Sequence, residues 1–558
     1  MKAKKVITIL ASSLLIASLV LTGCGGKDNK SAENKGKVKE KIVYALPTAP
    51  TGIFNPLISN TTYDGAVNSL VYSGLLSYDK EYKFKNELAE EYKVSDDELT
   101  YTFKLKKDLK WQDGKPLTTK DVEYTFKTLA DKKYDGPNKN IVEGIKGVKE
   151  YTEGKADKIE GIKVIDDRTI EFSFNEVYSV ALGNIGTLGI IPEHVWGSVS
   201  PEKWKESSDL LTKPVGSGPY KLVKFENGQS VEFEKNNDFY GDKAKTNKFI
   251  FKVTNPDTVQ GEIANGTIDV ADVSDLKAKD RDGLKNQGFN LVSYPKNSIL
   301  YMGMNLREDK FKDVKVRQAI MYGINRQEAL DKLAEGNGTI VNVPMLPSSW
   351  AYPKNANLEE YKYNVEKSKE LLKEAGWEDR DNDGIVENNK NEKFEVKLHT
   401  PSNQKPQEQR ALLIQSNLKE IGIKVDILTM EFTALMDEVV GNHKFDMYMM
   451  NNMLPIEPDP KPYWHSTAAS DKPKTFAWNI SSYKNPEADK LMDEALKVVD
   501  MEKRKEIYKG YGEIMNRDVP WVYLFSPNIV KATNSKLKNF TPNTNLDFLN
   551  VENWYIEE

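Results

Sequence analysis

The amino-acid sequence predicts an α/β fold, and three patterns along the 558-residue chain support that prediction. Apolar and polar residues alternate in several short segments of the first half, which is the period of a strand with one buried face. Later segments repeat apolar residues at helical spacing. The helical segment before Gly422 leads directly into the alternating Val425 and Ile427, and a helix that feeds a strand is typical of an α/β lobe.

The strands of the first half are predicted from their alternation. Between Leu99 and Leu105 every second residue is apolar and the others are threonine or lysine, and the turn Asp113-Gly114 follows. The same pattern recurs at Ile170, Phe172 and Phe174, at Val231 and Phe233, and at Phe249, Phe251 and Val253.

The helices are predicted to begin at side chains that can cap the first backbone amides. Thr118 is followed three residues later by Asp121, which is the spacing of a capping box. An asparagine takes the same position before other helical segments. The predicted helix starts are Thr118, Asn325, Asn364 and Asn485.

The N-terminus has the organisation of a signal peptide. Three lysines within the first five residues precede an uncharged apolar run from Val6 to Leu21. That run is shorter than the roughly 18 to 20 residues that a membrane-spanning helix needs. We therefore expect residues 1–23 to be removed as a signal peptide.

The only cysteine of the chain, Cys24, follows Leu21-Thr22-Gly23, and this segment resembles a bacterial lipobox. We expect the thiol of Cys24 to carry a lipid such as palmitate, although a chance cysteine after an ordinary secretory signal is the alternative. Residues 24–40 contain almost nothing that could be buried, so they are predicted to be a flexible tether. A single cysteine also excludes intramolecular disulfides.

Composition limits the classes of function. The chain is 39% hydrophobic and 29% charged, which is ordinary for a globular protein, and it has the length of about three or four domain-sized units. Its net charge is −5, and removal of the signal peptide makes it more negative. A nucleic-acid partner is therefore disfavoured, because phosphate binding requires a basic surface.

Several motif blocks occur in a fixed order along almost the whole mature chain. The first runs from Leu88-Ala89-Glu90 through the strand at 99–105 to Trp111-Gln112-Asp113-Gly114 and Thr118. Later blocks are Gly216-Ser217-Gly218-Pro219-Tyr220, Gly266-Thr267-Ile268-Asp269-Val270, Val316-Arg317-Gln318-Ala319-Ile320 and Leu371-Leu372-Lys373-Glu374-Ala375-Gly376-Trp377. This order resembles the extracellular solute-binding proteins of family 5, the oligopeptide, dipeptide and nickel group.

The resemblance implies a two-lobed fold of the periplasmic-binding-protein type II-like class, with an extra subdomain inserted in the first lobe. On this basis residues 41–85, 215–296 and 526–558 are expected to form the first lobe and residues 86–214 the insertion. The second lobe is expected at residues 297–525, with the chain crossing between lobes near Asn297 and Ser526.

The resemblance to the peptide-binding members implies an extended ligand in the cleft between the lobes, paired with protein strands and held by a carboxylate at its N-terminal ammonium. The matching segment of this chain runs from Phe445 to Pro460. Ile456 stands where those members place the aspartate. Glu457 and Asp459 are therefore the candidate partners, because a buried ammonium without one is costly. Each could instead be a loop carboxylate that faces solvent.

Other candidate contacts follow from the same resemblance. Asn451, Asn452 and Met453 are expected to offer hydrogen bonds to a peptide, or else to end a core strand. From the first lobe, Thr51 and Tyr63 are expected to approach the ligand, although Tyr63 could equally be an aromatic at the edge of the core.

The expected function is that of a substrate-binding lipoprotein of an ABC importer, a monomer at the extracytoplasmic face of the bacterial membrane that delivers oligopeptides to permease and ATPase subunits. An oligosaccharide or a nickel complex is the alternative ligand, with His465 as the candidate nickel contact. A peptide-sensing surface receptor is a third hypothesis. The sequence contains no recognisable nucleophile–base pair or metal triad, so an enzyme is disfavoured and no cofactor is expected.

One acidic segment resembles the first half of a calcium-binding EF-hand loop. Asp379, Asp381, Asp383 and Gly384 have its spacing, and Glu387 stands at its ninth position. The twelfth position is Lys390, where the loop requires a bidentate glutamate. A solvated turn is therefore the expectation, so that no metal site is predicted, and calcium stays the open alternative.

Overall fold

A computed structural model describes residues 37–255, 257–475 and 477–558. The predicted signal peptide, Cys24 and most of the predicted tether lie outside the described residues. None of the helices in the described ranges is long and apolar enough to cross a membrane.

The strands, numbered along the chain, are β1 (Lys41–Leu46), β2 (Leu76–Tyr78), β3 (Phe84–Asn86), β4 (Ala89–Val94), β5 (Thr100–Leu105), β6 (Ile162–Val164), β7 (Thr169–Ser173), β8 (Tyr220–Glu226), β9 (Ser230–Lys235), β10 (Lys248–Val253), β11 (Val270–Asp272), β12 (Phe289–Pro295), β13 (Ile299–Met304), β14 (Gly338–Ile340), β15 (Glu395–Pro401), β16 (Lys424–Met430), β17 (Met447–Asn452), β18 (Trp521–Asn534), β19 (Leu537–Lys538) and β20 (Tyr555–Ile556).

The α-helices are α1 (Thr62–Val71), α2 (Thr119–Ala130), α3 (Val148–Thr152), α4 (Ala181–Thr187), α5 (Glu193–Trp196), α6 (Ser208–Thr212), α7 (Val259–Ala264), α8 (Ala278–Asn286), α9 (Asp309–Lys312), α10 (Val314–Gly323), α11 (Arg326–Leu333), α12 (Val365–Glu374), α13 (Lys405–Glu420), α14 (Phe432–Met436), α15 (Lys461–Trp464), α16 (Pro486–Leu496) and α17 (Met501–Asp518).

The predicted helix caps are confirmed. Thr118 and Asp121 form a complete capping box at the start of α2. The side-chain oxygens of Asn325, Asn364 and Asn485 accept hydrogen bonds from backbone amides in the first turns of α11, α12 and α16. These starts were predictable because capping depends on residues only two or three positions apart.

A 12-stranded sheet forms the centre of the fold. Ten of its strands lie in the order β16-β15-β17-β13-β18-β11-β1-β10-β9-β8, and β12 and β14 also pair with β18. The 14-residue β18 belongs to both halves of this sheet. Its first residues, from Trp521 to Phe525, pair with β13, and its last residues, from Asn528 to Asn534, pair with β12.

The apolar side chains form separate cores in the two halves. One large core draws its buried residues from 299–525 alone. A second large core draws them from 42–270 and 537–556. This separation supports the predicted two lobes, whose exact limits stay a prediction.

The chain passes between the halves at two adjacent points. Residues 296–298 connect β12 to β13, and β18 crosses at residues 526 and 527. The Lys296 N–H donates to Pro527 O at 2.8 Å, and the Ser526 hydroxyl donates to Lys296 O at 3.4 Å. The two crossings are therefore joined to each other.

Residues 86–214 contain a sheet of their own, in the strand order β4-β5-β7-β6. Helix α2 packs on this sheet with its buried face, which includes Val122, Phe126 and Leu129. Trp111 is fully buried, as expected of a scaffold residue, and its backbone closes the Asp113-Gly114 turn through the bond from Gly114 N to Trp111 O (2.9 Å).

Two of the sequence motifs contact each other across the chain. The Gln112 N–H donates to Gly216 O at 2.8 Å, and the Gly216 N–H donates to the Gln112 side chain at 3.2 Å. Gly216 also lies against the end of α1, where a Cβ atom would meet Val71 O at 1.9 Å. Only glycine fits at this position, because a backbone oxygen cannot move aside as a flexible side chain can.

We predict that Gly216→Ala destabilises the protein, with the free energy of unfolding reduced by about 1–3 kcal/mol as in other overpacked sites. Gly261→Ala is the matched control, because Gly261 is exposed in α7 with nothing near its Cβ position. Alanine should be neutral or slightly stabilising in that helix. Chemical denaturation followed by circular dichroism measures both, and equal stability of the two variants would contradict the prediction.

Candidate ligand-binding site

A pocket lies where the loop after β17 meets the first half of the fold. Its walls enclose about 650 Å³, part of which is open to solvent. Tyr82 and Asn545 line it from the predicted first lobe, and all the other lining residues belong to the predicted second lobe. These are Pro344, Met345, Leu346, Ser348, Ser349, Trp350, Leu454, Pro455, Ile456, Pro458, Asp459, Pro460, Tyr463, Trp464, Tyr508 and Tyr511.

The loop from Leu454 to Pro460 forms one wall of the pocket. Its three prolines restrict the backbone, because each ring fixes φ. Asn297, at the crossover, holds the start of the loop by a bond from its side chain to Leu454 O (2.8 Å) and another from Leu454 N (3.0 Å). The Tyr508 hydroxyl donates to Pro458 O at 2.7 Å. The loop is thus attached both to the crossover and to helix α17.

Glu457 forms a buried ion pair within this wall. Its carboxylate accepts a hydrogen bond from Nη1 of Arg504 at 2.9 Å, and the side chains of both residues are almost fully buried. The guanidinium of Arg504 lies 4.7 Å from the ring centre of Trp350 and 5.8 Å from that of Tyr508. Burial raises the pKa of Glu457, although Arg504 opposes this effect.

Asp459 lines the pocket and is not part of any ion pair among the described residues. Its Oδ1 accepts the Lys461 N–H at 3.1 Å, and its Oδ2 accepts the Tyr178 hydroxyl at 3.4 Å. Within the described residues, no lysine, arginine or histidine forms an ion pair with it. Desolvation raises the pKa of Asp459 above its ordinary value, although the more distant charges of Lys461 and Arg504 oppose this effect. The carboxylate therefore has the surroundings in which a ligand cation is favourable.

Residues of 86–214 contact both this wall and the end of helix α16. Besides the Tyr178 hydroxyl on Asp459, the Ser179 N–H donates to Leu496 O at 2.8 Å. A Cβ atom on Gly183 would meet Cγ of Glu457 at 3.1 Å. The structure therefore has the two halves in contact around the pocket.

Strand β17 offers a partly unpaired edge next to this loop. On one side it pairs with β13 along its whole length, from Met447 to Asn452. On the other side it pairs with β15 at Met447 and Tyr448. From Met449 onward, no strand among the described residues covers that side. An extended ligand could pair with backbone groups there.

Comparison with known proteins identifies the family. The model of the bacterial extracellular solute-binding proteins, family 5 Middle, matches residues 83–475. The chain belongs to family 5 of the bacterial extracellular solute-binding proteins. The family and the two-lobed α/β fold class predicted from the sequence are confirmed. Proteins of family 5 bind solutes for transporters and are not enzymes.

Individual relatives of family 5 cover the whole chain. The oligopeptide-binding protein AppA of Bacillus subtilis is 31% identical over 567 residues, which include 100% of both chains. The solved structure of that AppA in complex with a nonapeptide has a TM-score of 0.74 at 28% identity and covers 94% of this chain and 100% of its own. NikZ from Campylobacter jejuni, in complex with Ni(L-His), has a TM-score of 0.74 at 25% identity, with 93% and 99% covered.

The two candidate carboxylates predicted from the family 5 resemblance have different surroundings. Asp459 lines the pocket, whereas Glu457 points to Arg504 and does not line it. Ile456, which stands in the aspartate position of the peptide-binding members, also lines the pocket. A binding role of either carboxylate stays a prediction.

The other predicted contacts do not line this pocket. Asn451 and Met453 are exposed near the open edge of β17, and Asn452 is partly buried. The Thr51 hydroxyl donates to Asp64 at 2.6 Å, beside the start of α1. Tyr63 is partly buried against the core of the first half, which is the alternative considered for it. Their roles in binding stay predictions.

The candidate nickel contact, His465, lies outside the pocket lining. It is buried, with Nδ1 at 2.7 Å from the Thr467 hydroxyl and Nε2 at 3.6 Å from Asp493. The nickel hypothesis therefore lacks a histidine in this pocket.

Arg504 and Trp350 were not identified from the sequence. Arg504 pairs with a residue 47 positions away, and Trp350 packs on it from a third segment. The only local signal is that Arg504 and Tyr508 share one helix face at a spacing of four residues.

We predict that Glu457→Gln lowers the free energy of unfolding by about 3 kcal/mol or more, because Arg504 would keep a buried charge without its counterion. Urea denaturation measures this loss. The double variant Glu457→Leu with Arg504→Met should recover much of it, since two apolar side chains can replace a buried pair. Wild-type stability of Glu457→Gln would show that the pair has no structural role.

Proposed function

We propose that this chain is the substrate-binding subunit of an ABC importer and that its ligand is an oligopeptide held between the two lobes. One observation carries the proposal: Asp459 is a partly buried carboxylate in the wall of an apolar pocket, and it forms no ion pair with any of the described residues. A peptide supplies the missing charge with its N-terminal ammonium. The peptide-bound AppA structure supports the choice of ligand.

The second element of the proposal is the open edge of β17. Backbone pairing from Met449 toward Met453 would hold an extended peptide without reading its side chains, which suits an importer that accepts many sequences. The aromatic and proline side chains of the pocket would receive the first side chains of the peptide. Asn451, Asn452 and Met453 then act at this edge.

Ligand capture proceeds by closure of the lobes around the crossover at residues 296–298 and 526–527. A ligand that contacts both lobes stabilises the closed form, so that binding shifts an existing equilibrium between open and closed states. The permease and ATPase subunits would recognise the closed, loaded protein and supply the energy for transport.

We predict that Asp459→Asn weakens binding of a nonapeptide with a free N-terminus by about 30-fold or more, because a buried charge pair of this kind accounts for 2 kcal/mol or more. N-acetylation of the peptide should weaken binding to the wild type and hardly alter binding to the variant. Trp350 and Trp464 in the pocket make tryptophan fluorescence a suitable measurement.

The control variant is Asp209→Asn, whose side chain is 92% exposed. Asp459→Asn should be at least as stable as the wild type without ligand, because the raised pKa means that burial opposes ionisation at neutral pH. Unchanged binding in Asp459→Asn, with loss in a folded Glu457→Gln, would transfer the anchor to Glu457. If the protein bound sugars or nickel but no peptide, a peptide ligand would be excluded.

Attachment to the membrane is the other part of the proposal. We infer that Cys24 carries a lipid and that the mature chain stays at the extracytoplasmic face of the cell membrane. The family 5 model describes extracellular proteins, which supports the location. Two or more acyl chains at one cysteine give the stable attachment that one chain does not.

We predict that Cys24→Ser moves the protein from the washed membrane fraction to the soluble extracytoplasmic fraction, while peptide affinity of the purified protein is unchanged. Immunoblots of cell fractions and mass spectrometry of the N-terminal peptide measure this. Retention of Cys24→Ser in the membrane, or an unmodified thiol in the wild type, would contradict lipidation.

A further inference from the structure

Four carboxylates converge in the connection between α12 and β15, away from the pocket. The cluster consists of Asp379, Asp381, Asp383 and Glu387. Each contributes one carboxylate oxygen, and these four oxygens all lie within 4.8 Å of one another. Among the described residues, this is the only group of three or more acidic, histidine or cysteine side chains close enough together to hold a metal ion.

Glu387 is the unusual member of the group. It is only 3% exposed, its Oε2 accepts the Arg380 N–H at 2.8 Å, and its buried Oε1 has no hydrogen-bond partner. Oδ1 of Asp379 is likewise buried without a partner. Buried carboxylate oxygens are nearly always paired, so two such atoms directed into one acidic cluster are suited to coordinate a cation.

The loop is built rigidly around these oxygens. Glu378 and Glu387 exchange two backbone hydrogen bonds of 3.0 Å, which close its ends. Gly384 has a φ of +88°, which favours glycine, and its N–H donates to Asp379 Oδ2 at 3.0 Å. The acidic side chains therefore stay together despite their mutual repulsion.

The local positive charges do not balance the four carboxylates. The ammonium of Lys393 contacts Asp383 and lies 3.0 Å from Asp381. The guanidinium of Arg380 donates to the carbonyl oxygens of Gly376, Glu387 and Asn388 and to the Asn389 side chain instead. One ammonium against four carboxylates leaves a net negative site.

We propose that this loop is a calcium-binding site. Its donors are oxygens, without histidine or cysteine, which is the ligand type that calcium takes in proteins. Lys390 stands where an EF-hand loop has a bidentate glutamate, and for that reason a solvated turn was expected from the sequence. The buried carboxylate of Glu387, directed into the cluster, supplies a ligand in place of that glutamate. Lys393 is the internal competitor that calcium has to displace from Asp381 and Asp383.

The site would stabilise the second half of the fold. Val386, beside Glu387, donates its N–H to Gly422 O at 2.9 Å and accepts the Phe394 N–H at 2.8 Å. Trp377 packs on Phe394 with ring centres 4.4 Å apart. Calcium at this loop would fix the connection that carries these contacts, and an extracellular module typically binds with a Kd of about 10⁻⁴–10⁻³ M.

The test uses the mature chain after removal of metal by a chelator. Isothermal titration with CaCl₂ should show one ion per chain, and the midpoint of thermal unfolding should rise with CaCl₂ and saturate. MgCl₂ at the same concentrations should have a smaller effect, because magnesium is reluctant to lose its waters. Asp381→Asn and Glu387→Gln should lose the response, and the exposed control Asp209→Asn should keep it.

Lys393→Ala gives an independent test, because removal of the competing ammonium should raise the affinity for calcium. The side chain of Asp381 is half-exposed, so Asp381→Asn should leave the protein folded. This variant therefore keeps the test valid if Glu387→Gln does not fold. The proposal is overturned if the wild type shows no calcium-dependent shift up to 10 mM, about ten times the weaker Kd given above. An undiminished response in Asp381→Asn, or an equal response to magnesium, would also overturn it.

Discussion

The arrangement of the two lobes depends on the doubly paired crossover in the central sheet. Strand β18 continues through both halves, and it pairs with β13 before residue 526 and with β12 after residue 527. Neither half can slide along β18 without breaking a ladder of hydrogen bonds. Relative motion is therefore confined to bending at the two short crossings, which the bond from Lys296 N to Pro527 O joins.

The same crossover positions the pocket. Asn297 donates through its side-chain amide to Leu454 O and to Asn545 Oδ1, at 2.8 and 2.5 Å. Leu454 begins the loop that contains Asp459, and Asn545 lines the pocket from the other half. A bend at the crossover must therefore change the pocket, because Asn297, which lies in the crossover, contacts both walls. Bending between the lobes and the shape of the pocket are therefore coupled through the same residue, Asn297.

The features that sequence predicted well depend on short separations. The capping box at Thr118 and the caps at Asn325 and Asn485 need only two or three residues, and the alternation at 99–105 needs only one strand. The site was predictable as a segment but not as a set of contacts. The pairing of Glu457 with Arg504 joins segments far apart, so the sequence could not show which of two neighbouring carboxylates was already neutralised.

The absence of an ion-pair partner for Asp459 among the described residues gives a reason why closure should require ligand. Burial opposes ionisation of this carboxylate, and the contact from Tyr178 of the first half belongs to the arrangement with the halves together. Opening exposes Asp459 to water and removes that penalty. If Asp459 binds the ligand as proposed, closure over an empty pocket is disfavoured by a carboxylate without an ion-pair partner, whereas closure over an ammonium forms a pair in a low-dielectric site. Glu457 cannot serve this purpose, because Arg504 already neutralises it in the free protein.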